Sequence, residues 1–128
     1  MNAILIDPTT ETIKLIELNS FKLEELKRVI DCEMIELAIT FEDIHADIYC
    51  DEEGWLRNRE IFGFELDGVL IPSKAVVVGC TKDGAQCALS KAKLTYLLHL
   101  LIEQVEWRGE LTEQDMPYPL IQVISFPT

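Results

Sequence analysis

The stretch IHADIYCDEEGWL, Ile44–Leu56, decides how this chain is read. Its first half alternates. Ile44, Ala46, Ile48 and Cys50 fall on one side; Asp43, His45, Asp47 and Tyr49 fall on the other. That period of two marks a strand with one buried face. Asp51-Glu52-Glu53-Gly54 follows. Asp at the first position and Gly at the fourth fit a type I turn closed by a left-handed residue. Trp55 and Leu56 are then expected to open a return strand.

Working outward, Asn2–Ile6 and Glu11–Leu18 read as an N-terminal hairpin broken by Asp7-Pro8. Phe21, Leu23, Leu26, Val29 and Ile30 recur at helical spacing, which predicts a short helix over about 21–31 with Ser20 as N-cap. Met34–Ile39 alternates, with Ile35, Leu37 and Ile39 on one face. Ile61–Leu66 reads as strand or loop, Asp67-Gly68 as a turn, and Val69–Ile71 leads into Pro72. Ala75–Gly79 (AVVVG) is apolar on both faces, the signature of a central strand. Lys82–Ala85 turns the chain back into Gln86–Leu89. Ser90 caps a second helix over about 91–107, whose stripe is Leu94, Leu97, Leu98, Leu101, Ile102 and Val105 and whose stop is Gly109. Leu120–Phe126 reads as a last strand. The whole is one α+β domain: a largely antiparallel sheet with two packed helices.

The 128 residues suffice for a real core. No apolar run is long enough to span a membrane, and the N-terminus lacks a secretory leader, so a cytoplasmic protein is expected. Cys32, Cys50, Cys80 and Cys87 do not have zinc-knuckle spacing. Cys80 and Cys87 flank a turn and are placed to face each other across a hairpin. In a reducing compartment all four read as thiols. The net charge is −12, which disfavours contact with nucleic acid or an anionic membrane. Asp31–Glu53 holds nine acids and no Lys or Arg, so this one stretch supplies −9.

Residues 2–80 resemble a phage- and plasmid-associated family of unknown function. The residues that carry the likeness are ILIDP at 4–8, the hairpin and short helix after it, DEEGWL at 51–56 and VLIPSKAVVVGC at 69–80. The resemblance implies a small accessory protein of a mobile element acting inside a bacterial host. It brings no functional residues with it. Residues 81–128 (hairpin strand, long helix, last strand) lie outside it.

Three sites compete. Asp43, Asp47, Asp51, Glu52 and Glu53, with Trp55 as an aromatic anchor, form an acidic surface suited to a basic partner protein. Arg57, Arg59 and Lys74 are the one nearby basic cluster, which a pocket for a small ligand such as a nucleotide would need. Asp43, His45 and Asp47 recur at ~6.8 Å along one strand face, a possible divalent-metal set. The plainer reading is the solvated face of an edge strand, where like charges discourage aggregation. His99 and Glu103 share helical spacing but read as an exposed helix face. Tyr49 and Trp107 read as core aromatics or interface anchors. No nucleophile motif, phosphate loop or GxGxxG is present.

The expected function is therefore a non-enzymatic protein that binds a host protein through its acidic face, as a defence inhibitor or DNA-charge mimic. The alternatives are a small-ligand (nucleotide) binder and a metal-dependent enzyme. No cofactor, catalytic residue or metal ligand is assigned. A homodimer through the second helix stays open.

Overall fold

The computed structural model describes residues 1–56 and 60–116. The expected N-terminal hairpin forms: β1 (Asn2–Asp7) pairs antiparallel with β2 (Thr12–Glu17), from Asn2↔Glu17 to Asp7↔Thr12. Helix α1 (Leu23–Ile30) follows. Ser20 is not its cap. Lys22 holds that position, and the Ser20 Oγ accepts the Lys22 N–H instead. Asp31 ends the helix in the left-handed conformation, while the Cys32 N–H bonds back to the Lys27 carbonyl.

A second hairpin joins β3 (Ile35–Phe41) to β4 (Ala46–Asp51) through a 3-10 turn at Glu42–Ile44 and a left-handed His45. Here the opening stretch departs from expectation twice. The strand starts at Ala46, so Asp43 and His45 lie in the turn. Trp55 and Leu56 form no return strand but a 3-10 turn, Gly54–Leu56. The reason is that β4 already has both neighbours: β3 on one side and a later strand on the other. β4 is interior, not an edge. β3 contains a bulge between Leu37 and Ile39. The extra residue reverses the face, so Ile35 packs toward α1, Ile39 enters the opposite core, and Leu37 is left exposed.

β5 (Phe62–Leu66) and β6 (Val69–Ile71) form a hairpin around Asp67-Gly68, both at positive φ. β7 (Ala75–Cys80) is the central strand of the main sheet, whose order is β2-β1-β7-β4-β3. Ala75–Val78 have no solvent exposure because both faces are covered, which explains their continuous apolar run. β8 (Gln86–Cys87) pairs back as expected. Cys87 stands opposite Gly79 rather than Cys80, so the two thiols project to opposite faces. All four cysteines are free.

Helix α2 (Lys91–Gln104) is capped by Ser90, whose Oγ accepts the Lys93 N–H. It stops three residues before the expected end. Residues 106–110 form β9 (Glu106–Glu110), which pairs with β5 and sets Trp107 edge-on against Phe64 at 6.2 Å. Pairing and ring burial outweigh continuation of the helical pattern. Gly109, at positive φ, belongs to this strand and not to a helix stop. The last strand expected over 120–126 lies outside the described residues.

Two cores result. Ala3, Leu18, Val76 and Val78 pack with Leu26 and Ile30 of α1 on one face of the main sheet. On the other, Ile4, Ile6, Ile48 and Val77 pack with Phe64, Leu66 and Ile71 of the small sheet and with Leu97 and Leu101 of α2. No described helix is long and apolar enough to cross a membrane.

Candidate functional site

The acids of Asp31–Glu53 do not form one row. Asp47 and Asp51 project from β4 toward α1 and are 7% and 4% exposed. Neither belongs to a solvent face, contrary to expectation, because α1 and flanking strands cover this side of the sheet. Asp43 is exposed, but it lies at one end of the β3/β4 hairpin with Glu42. Glu52 and Glu53 lie at the other end, across the length of β4. There the Glu52 N–H bonds the Met34 carbonyl. Glu36 stands directly across from Cys50. Burial and the neighbouring charge of Glu52 push the Glu36 carboxyl above the usual range, with a smaller push from Asp51; a bond from the Cys50 thiol works the other way. Glu33, Glu36, Glu42, Asp43, Glu52 and Glu53 make no ion pair among the described residues. Trp55 is half-buried.

The metal set disperses. Asp43 is in the turn, His45 is left-handed, and Asp47 points to the α1 side near Cys80, whose thiol burial and then the Asp47 charge push up. No three of His, Cys, Asp and Glu are placed to hold a metal ion among the described residues. His99 and Glu103 lie exposed on α2. Tyr49 is half-buried, and its hydroxyl accepts the Gln86 amide at 2.7 Å.

A cavity of about 590 Å³ opens where β1 and β4 end and β7 begins. Its walls come from Asp7–Thr9, the end of α1, the Asp51–Gly54 turn, Glu60–Phe62 and Pro72–Lys74. The Asp51 carboxylate accepts the Glu53 N–H at 2.9 Å, and the Asp51 N–H bonds the Ser73 hydroxyl at 3.1 Å. So DEEG turns the chain as expected, but Gly54 is not the left-handed residue expected to close it, and the turn is docked rather than free. Gly54 is buried, and a Cβ there would lie 2.8 Å from Pro72 Cγ. Its φ is not positive, so close approach is what excludes a side chain.

Of the basic cluster, Lys74 lines this cavity. Arg57 and Arg59 lie outside the described residues. Sequence reasoning missed the convergence of Asp7, Asp51 and Lys74. Asp7-Pro8 was legible as a turn, and nothing in the sequence says that β7 inserts between β1 and β4.

Residues 1–102 match the family described as "Domain of unknown function (DUF3846)". The chain belongs to this family. The match runs past residue 80, so it takes in β8 and most of α2 in addition to the stretch whose motifs carried the resemblance. No curated protein and no solved structure matches the chain.

Proposed function

We propose that this DUF3846 protein is a non-enzymatic binding protein that docks a basic surface of a host protein. The observation that carries the reading is the uncompensated charge at one end of the β3/β4 hairpin. Glu33, Glu36 and Glu52 are exposed and make no ion pair among the described residues, and burial and then the neighbouring Glu52 charge raise the Glu36 carboxyl. Concentrated negative charge steers encounter with a positive partner and rejects acidic ones. A host protein that itself binds nucleic acid offers such a surface, and the acids would then stand in for phosphate. The mobile-element setting enters this proposal from the sequence resemblance alone; the family match names no habitat.

The test is capture from bacterial lysate at about 50 mM and about 500 mM salt, which bracket strong and weak screening. Wild-type protein and the Glu36→Lys/Glu52→Lys variant are compared. The expectation is a basic protein retained at low salt by wild type alone, with the variant's defect in the association rate. Retention of the same proteins by both, with the fold intact, refutes the acidic-face reading.

A small-ligand function is the second reading, favoured by the cavity. It does not depend on the acidic face.

A further inference from the structure

The cavity draws opposite charges from the end of β1 and from the residue before β7. β1 pairs with β7 as Ile4↔Val77, Leu5↔Val76 and Ile6↔Ala75. Asp7 ends β1, and Lys74 directly precedes β7. Both line the cavity. Asp7 is only 9% exposed. Its Oδ1 accepts the Thr9 N–H at 3.0 Å, while its Oδ2 has no partner among the described residues. No sealed side-chain polar atom among the described residues lacks a partner, so this oxygen keeps contact with solvent at a residue that lines the cavity. Lys74 is half-buried and makes no ion pair among the described residues, with Asp7 or with any other acid.

Two opposite charges, one at the end of β1 and one just before β7, both partly withdrawn from water, therefore share a cavity without forming an ion pair. Such groups are costly to leave unpaired, and the space between them is large enough for a small molecule. We propose that the cavity binds a free amino acid or a closely similar small zwitterion. Its ammonium would donate to the Asp7 Oδ2, and its carboxylate would accept from the Lys74 Nζ. Ile30, Phe62 and Pro72 would flank its side chain.

The test is a ¹H–¹⁵N NMR titration of the whole chain with each common amino acid singly, up to about 10 mM, a range that detects even millimolar affinity. Saturable shifts are expected at Thr9, Ser73 and Lys74 for at least one amino acid. Its N-acetyl and amide forms, each missing one charge, should bind at least about tenfold more weakly, the cost of one unpaired charged contact. Asp7→Asn, which keeps the Oδ1 acceptor, and Lys74→Met should each weaken binding similarly, with their spectra verifying the fold. The proposal is overturned if no amino acid shifts these resonances, if the singly charged forms bind as well as the free one, or if both variants bind like wild type. None of these substitutions touches Glu36 or Glu52, so failure here leaves the acidic-face reading standing, and the reverse holds too.

Discussion

Replacing Gly54 tests whether this residue serves a backbone conformation or a contact. Its φ lies in ordinary space, so Ala is not strained there, and the loss of unfolded-state freedom would stabilise by about 0.4–1 kcal/mol. Against this, the new Cβ would lie 2.8 Å from Pro72 Cγ and 3.1 Å from the Pro72 carbonyl oxygen. A proline ring and a backbone oxygen do not swing aside, and overpacking of this kind costs about 1–3 kcal/mol. The contact wins, and Gly54→Ala should lose about 1–2 kcal/mol net. Gly54→Asn adds more atoms to the same gap and should lose more. Gly68 is the control: its φ is +76° and nothing lies within 4 Å of a Cβ there. At that site Asn, which tolerates the left-handed region, should outrank Ala. Urea unfolding followed by tryptophan fluorescence measures all four variants. With a slope of about 2 kcal/mol per molar, Gly54→Ala should move the midpoint down by roughly 0.5–1 M. If Gly54→Asn equals or exceeds Gly54→Ala in stability, the steric account is wrong and the turn requires a special backbone instead.

Leu101→Ala, at a fully buried α2 position, should cost about 2–5 kcal/mol, whereas Ile102→Ala, 65% exposed, should stay within about 0.5 kcal/mol by thermal unfolding. Equal effects would mean that Ile102 is covered, as in a dimer seam, and sedimentation would show it. Glu36→Gln should raise the melting temperature at pH 7. The folded carboxyl holds its proton more tightly than the unfolded one, so its ionised form opposes folding above the folded pKa, and the gain should vanish as pH falls below about 4, under the unfolded value. A gain that persists at pH 3 would point to a cause other than charge. Burial and the nearby charges of Glu36 and Asp51 push the Cys50 thiol up to about 12, so it should be the last of the four cysteines alkylated by iodoacetamide at pH 8. Mass spectrometry showing Cys50 modified as fast as Cys32 in folded protein would contradict its burial.

Elements whose signals are local were legible in the sequence. The first hairpin, the Ser90 cap and the doubly buried AVVVG strand follow from alternation, capping chemistry and an unbroken apolar run. What was not legible depends on partners distant in the chain. Asp47 and Tyr49 look solvent-facing because they alternate with apolar residues, yet α1 covers that face of the sheet. The helical pattern reads on to about residue 107, yet β5 recruits Glu106–Glu110 as a strand. The bulge in β3 moves Ile35 and Ile39 to opposite faces although their spacing implies one. The candidate site failed for the same reason: its acids are close in sequence but apart in the fold, while Asp7 and Lys74 come to one cavity only through strand order.

That strand order also governs how the chain can fold during synthesis. The hairpins β1/β2 and β3/β4 close over short loops, but β7 pairs with both of them, and Val77 meets both Ile4 and Ile48. β1 must wait for a partner roughly seventy residues downstream, a distant pairing of the sort that slows folding. Until β7 leaves the ribosome, the inner edges of both hairpins lack their final neighbour, and β7 itself is a short, uncharged, β-branched segment of the kind that aggregates when exposed. A nascent chain stalled before Ala75 would therefore hold two separate hairpins with open edges, and a chaperone would find its substrate there.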